Sequence, residues 1–246
     1  MGKTRLLKIM AIAVLITGIM ISVTTESKTA QSGPLPLYYL VRQPRIKTGK
    51  PPLLILLHGV GSNENDLFSF ANTLDDRFLV VSVRAPYTIS EGSYKWYEVG
   101  FSGGAPKIDT AQAEKSRSML VGFISQLGAE LDFDPARVYL CGFSQGAIMS
   151  FSVGLTKPES VRGIIALSGR VLAEINPQIA EKNRFGQFKT LLIHGTQDQV
   201  LPIHYARESR QLLEGLGIET EYHELETGHT ITRETLGLIN AWLGRQ

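Results

Sequence analysis

The sequence holds a single cysteine, Cys141, among 246 residues. One thiol closes no internal bridge, so the fold must rest on its apolar core in any compartment. Basic clustering is missing as well: beyond the first thirty residues no Lys/Arg run points to a nucleic-acid partner. The five histidines are scattered, without H-E-x-x-H or comparable ligand spacing, and no Gly-rich phosphate loop or dinucleotide fingerprint occurs. Neither a metal nor a cofactor is therefore implied. No repeat or low-complexity tract divides the chain, which makes one domain the simplest count. Only one long apolar run is present, Ile9 to Val23.

That run follows Lys3, Arg5 and Lys8 and precedes a small, polar stretch to Ala30. This is the layout of a secretory signal peptide over residues 1–30, with Ser27 or Ala30 as the last residue removed. At about 20 residues for a bilayer span, the run is short for a membrane anchor, which is the alternative if it is retained. Export to a periplasmic or extracellular space is the expectation. The segment also carries a net +3 against +2 for the whole chain, leaving −1 for residues 31–246. The basic balance thus says nothing about partners.

From Leu37 onward, short apolar runs alternate with amphipathic stretches. Leu53–Leu57, Phe78–Val83, Val138–Cys141, Ile164–Leu167 and Leu191–Ile193 read as strands buried on both faces, with Leu37–Val41 and Thr220–Leu225 as a first and last strand. Asn65–Leu74, Asp109–Leu131, Gln145–Leu155, His204–Leu216 and Thr230–Leu243 have apolar residues at helical spacing. This alternation predicts an α/β fold with a mostly parallel central sheet flanked by helices. Asn176–Gln187, the least periodic part, reads as an excursion over a site.

The pattern G-x-S-x-G occurs twice, at Gly100–Gly104 and Gly142–Gly146. Its chemistry needs a strand, a sharp turn and a helix, so that the serine hydroxyl stands strained and exposed above the sheet edge. Ser144 has a strand before it and an apolar helix after it; Ser102 is followed by Gly104-Ala105-Pro106, which starts no packed helix. A serine hydroxyl needs a base, normally a histidine oriented by a carboxylate. On such a fold the order is Ser, Asp or Glu, then His. His229, beside Gly228 in the loop before the last helix, suits the base better than His204 or His223. Asp198 follows a strand at its C-terminal edge and suits the acid, with Glu226 as runner-up. For an oxyanion, one amide comes from the residue after the nucleophile, Gln145, and one from the loop after an early strand, where His58-Gly59-Val60-Gly61 offers Val60 or Gly61. His58 and His194 read as braces of their loops.

With these residues in place, the chain resembles the phospholipase/carboxylesterase family of α/β-hydrolases, which includes acyl-protein thioesterases and small bacterial carboxylesterases. The likeness spans Leu37 to Leu243 and is carried by Leu56–Gly61, Trp96-Tyr97, Gly142–Gly146, His194–Asp198 and Gly228-His229; the Gln145 after the serine is more specific than G-x-S-x-G alone. It implies an α/β-hydrolase fold without a large lid domain over residues 31–246, a Ser144–Asp198–His229 triad, and Val60 and Gln145 as backbone oxyanion donors. It also implies esterase or thioesterase activity on short to medium acyl groups; a small-molecule ester is the expected substrate and a monomer or homodimer the expected state. Trp96 is expected near the site as a pocket wall, although as a residue type it reads equally well as core. Ser144 stands where the related dienelactone hydrolases have cysteine, which counts against that group. Many relatives are cytosolic, so the N-terminal segment favours an exported esterase over one acting on protein thioesters. Lysophospholipids or amides would suit the same triad, and a non-catalytic binding protein on this scaffold is the remaining alternative.

Overall fold

A computed structural model describes residues 29–30, 35–47, 49–102 and 105–246, so the apolar run at Ile9–Val23 lies outside the described residues. The strands in chain order are β1 (Thr29–Ala30), β2 (Tyr39–Arg42), β3 (Leu53–Leu57), β4 (Leu79–Val83), β5 (Tyr87–Ser90), β6 (Ser93–Lys95), β7 (Val99–Ser102), β8 (Ala105–Ile108), β9 (Val138–Phe143), β10 (Gly163–Leu167), β11 (Lys189–Gly195) and β12 (Glu219–Leu225). The helices are α1 (Asn65–Phe68), α2 (Thr110–Leu127), α3 (Gln145–Thr156), α4 (His204–Gly215) and α5 (Arg233–Leu243).

Eight strands form one sheet in the order β1-β2-β4-β3-β9-β10-β11-β12. β1 and β4 lie antiparallel to β2, and every other pairing is parallel. The unbroken apolar run of β3 has a simple cause. Its side chains alternate between faces, and both faces are covered. Leu53, Ile55 and Leu57 join the layer under α2, α3 and α4, with Phe123, Phe151 and Leu213. Leu54 and Leu56 join the opposite layer under α1 and α5, with Leu67, Ile239 and Trp242. Cys141 lies in that second layer, and burial pushes its thiol up to about 12, which leaves it without nucleophilic character.

Two sequence expectations change. Asn65–Leu74 is a four-residue α1 followed by a 3₁₀ turn at Ala71–Thr73. There Ser69 Oγ donates to the Asp66 carbonyl at 2.6 Å and Thr73 Oγ1 to the Phe70 carbonyl at 2.8 Å, local bonds that compete with a longer helix. The segment read as an excursion over a site instead packs Ala180 and Phe185 into the core, and the Ala180 amide donates to the Leu155 carbonyl at the far end of α3. Outside the main sheet, β5–β6 and β7–β8 form two hairpins. Ser102 ends β7 and turns into β8, not into a helix.

Candidate active site

The C-terminal ends of β3, β9, β10, β11 and β12 share one edge of the sheet, where sites of open parallel sheets collect. Ser144 leaves β9 there with φ 53° and ψ −117°, a conformation that costs a non-glycine residue about 1–3 kcal/mol. The surroundings force it. A Cβ on Gly142 would lie 2.3 Å from the Gly146 carbonyl, and one on Gly146 would lie 2.0 Å from the Leu57 carbonyl oxygen. Those two glycines let α3 start directly against β3 and β9, and the Ser144 amide is fixed to the Leu167 carbonyl at 2.9 Å.

His229 Nε2 lies 2.9 Å from Ser144 Oγ, and His229 Nδ1 lies 2.7 Å from Asp198 Oδ2. The three residues singled out by order and context are thus in one hydrogen-bonded line. The second oxygen of Asp198 accepts the Val200 and Leu201 amides at 2.9 and 2.8 Å. Burial works to raise the Asp198 pKa, but these bonds and the His229 imidazole outweigh it and hold the carboxyl below its usual range. Gly195 brings the two loops together: a Cβ there would meet the Thr227 and Gly228 carbonyls at 2.3 and 2.4 Å. Of the rival residues, Glu226 is exposed, His223 pairs with Glu221, and His204 stacks on Tyr205 at the start of α4.

The loop after β3 turns at Gly59–Ser62, where the Ser62 amide reaches the Gly59 carbonyl and Gly61 has φ 82°. A positive φ at the third turn position marks a type II turn. The Gly61 amide donates to the Tyr94 carbonyl at 2.8 Å, so of Val60 and Gly61 it is Val60 whose amide is not engaged within the described residues. His58, fully buried, accepts the Ala85 amide on Nε2 and donates from Nδ1 to the Gly59 carbonyl at 2.7 Å. It braces this loop, as His194 braces the next one by donating to the Leu201 carbonyl at 2.7 Å.

Trp96 does not line a pocket. It is fully buried, and its indole N–H donates to the His58 carbonyl at 2.9 Å, so it supports the loop from behind. Its neighbour relation to Gln145 was not legible in the sequence. The buried Gln145 amide side chain accepts the Trp96 N–H at 2.7 Å and donates to the Tyr97 carbonyl at 2.8 Å. The residue after the serine therefore clamps the Trp96-Tyr97 segment to α3.

A cavity of about 510 Å³ opens at Ser144. Its walls are mostly aliphatic, from Val60, Ile89, Val99, Ile148, Val200 and Leu201. Val60 and Ile89 are about half exposed and Val200 more so, so the mouth is apolar too. Arg170 and Tyr205 stand on the same wall, and none of the Asn176–Gln187 segment reaches it.

Burial pushes the His58 and His194 imidazoles below their usual pKa. Unfolding frees both to take a proton near pH 6.5. The unfolded chain then binds more protons, and stability falls as pH drops below about 6.5, until the folded-state pKa is reached. The slope for each histidine rises toward a limit of about 1.4 kcal/mol per pH unit as the unfolded ring becomes fully protonated. Urea midpoints measured from pH 7.5 to 5.5 check this; a flat series would show that the two rings titrate alike in both states.

The sequence model of the phospholipase/carboxylesterase family matches residues 42–245. Acyl-protein thioesterase 1 of Emericella nidulans is 28% identical over 187 residues, 68% of this chain and 77% of that protein. Carboxylesterase SOBER1 of Arabidopsis thaliana is 27% identical over 169 residues, 65% of this chain and 72% of that protein. Among solved structures, esterase PE8 superposes with a TM-score of 0.72 at 30% identity, covering 85% of this chain and 98% of its own. The Bacillus cereus carboxylesterase, at 22% identity, shares the fold with a TM-score of 0.76 over 86% of this chain and 95% of its own.

Proposed function

The chain belongs to the phospholipase/carboxylesterase family and is a serine hydrolase of ester bonds; from this premise we propose that Ser144 carries the acyl group, with His229 as base and acid and Asp198 as its orienting carboxylate. The observation that supports this reading is the unbroken line from Ser144 Oγ through His229 to Asp198.

As Ser144 Oγ bonds to the ester carbonyl carbon, its proton passes to His229 Nε2 and the carbonyl π electrons move onto oxygen. The Val60 and Gln145 amides hold that oxyanion. His229 returns the proton to the leaving alcohol as its C–O bond breaks, which leaves an acyl-serine. Water repeats the cycle and frees the acid. Asp198 accepts a hydrogen bond from the Nδ1–H throughout, without taking the proton, and stabilises the imidazolium. The aliphatic cavity suits the acyl chain of a small oxyester or thioester; relatives named as carboxylesterases and acyl-protein thioesterases agree with either.

Val60 tests the assignment through its backbone. It occupies the second position of a type II turn, where proline is well tolerated. Val60→Pro removes the donor and is expected to lower kcat on 4-nitrophenyl butyrate by roughly 100- to 1000-fold, while Val60→Ala keeps the amide and most of the rate. Equal rates for the two variants would remove Val60 from the oxyanion site.

The N-terminal charge and hydropathy pattern supports export with removal of residues 1–30. Among the described residues no helix is long and apolar enough to cross a membrane. The mass of the mature N-terminus, measured after expression with a secretion pathway present, distinguishes cleavage from retention.

A further inference from the structure

We propose that Arg170 selects esters that carry a free carboxylate, a step that rests on Ser144 as the nucleophile. Arg170 leaves the C-terminal end of β10, two residues after Ser168, beside the strand that presents Ser144. It lines the same cavity as Ser144. Its guanidinium lies over the Tyr205 ring, 5.2 Å from the centroid, which fixes its direction while leaving its N–H edges open. The backbone beside it is tied to the helix that carries Tyr205: the Val171 amide donates to Ser209 Oγ at 3.0 Å, and that hydroxyl donates to the Tyr205 carbonyl at 2.7 Å.

What sets Arg170 apart on the cavity wall is that its guanidinium is unpaired. Its side chain makes no ion pair and no hydrogen bond with a described residue, and the Tyr205 ring is the partner it does have. Lys95, the other cation on the cavity wall, is paired with Glu98. One open guanidinium in a mostly aliphatic cavity matches one negative charge on an otherwise apolar ligand. Arginine presents its donors as a planar fork that fits a carboxylate with two parallel bonds. A phosphate dianion would ask for a second cation beside Arg170, and the other cation on this wall, Lys95, is already paired with Glu98.

The test compares kcat/KM within two pairs of esters. In each pair a carboxylate is replaced by a carboxamide of the same shape. One pair carries it on the acyl side, as the mono-4-nitrophenyl ester of adipic acid and its amide. The other carries it on the leaving group, as hexanoate esters of 4-hydroxybenzoate and 4-hydroxybenzamide. Wild type is expected to favour the carboxylate in at least one pair by roughly 10- to 100-fold, the range of a charge-assisted hydrogen bond. Arg170→Gln is expected to bring that ratio to about one, and Arg170→Lys to keep part of it. A ratio near one in both pairs for wild type, or a ratio that survives Arg170→Gln, overturns the proposal. A fluorophosphonate probe separates the two levels: a protein that labels at Ser144 without any carboxylate preference overturns the Arg170 proposal alone, and one that does not label overturns both.

Discussion

His229→Ala is expected to lower kcat on a simple aryl ester by roughly a million-fold, and adding Ser144→Ala to it is expected to cost almost nothing more. The reason is that the two groups act in one event. Without a base at 2.9 Å the hydroxyl keeps its proton, and without the hydroxyl the base has nothing to activate. Asp198→Asn should cost less, roughly ten-thousand-fold. Here the local bonds dictate the outcome. Asp198 Oδ1 is held by the Val200 and Leu201 amides, so an asparagine would keep its oxygen there and turn its NH₂ toward His229 Nδ1. That donor forces the ring into the tautomer with its proton on Nε2, which cannot accept one from Ser144. Steady-state kinetics of the single and double variants check the pattern. Multiplying losses in the double variant would mean that the residues work independently.

Gly146→Ala is expected to prevent folding or to cost at least about 4 kcal/mol, whereas Gly237→Ala should stabilise by about 0.4–1 kcal/mol. Both are helical glycines gaining one methyl group, so propensity alone favours alanine at each. Space decides between them. At Gly146 the methyl would sit 2.0 Å from the Leu57 carbonyl oxygen and 2.7 Å from that of His58, and both belong to a buried strand end that cannot give way. At Gly237, exposed on α5, nothing lies within 4 Å. Urea unfolding of both variants measures the difference. A Gly146→Ala protein as stable as wild type would mean that α3 does not abut β3 as described.

The same geometry explains what the sequence could reveal. β3, β9, β10 and β11 were legible because both of their faces are buried, which leaves continuous apolar runs. Ser144 was separable from Ser102 because a strained turn needs a strand before it and a helix after it, and only one of the two sequences supplies both. The hairpins β5–β6 and β7–β8 were not legible. They lie outside the main sheet, and the exposed side of β5 carries no apolar alternation to mark it. Trp96 shows the limit of reading a residue by type: proximity to Ser144 was foreseen, but only the bond to the His58 carbonyl reveals that it faces the loop and not the cavity. Gln145 was expected for its backbone amide; its side-chain clamp on Trp96 and Tyr97 depends on a contact 48 residues and more away in the chain, for which no local pattern exists.

Covalent labelling with a fluorophosphonate probe tests the role of Ser144 most directly, since the probe reacts only with an activated hydroxyl. Wild type and Ser102→Ala should each gain one probe mass on the peptide that holds Ser144, and Ser144→Ala should gain none. An unlabelled wild type, or a Ser144→Ala protein that labels as well as wild type, would contradict the assignment of Ser144 as the nucleophile.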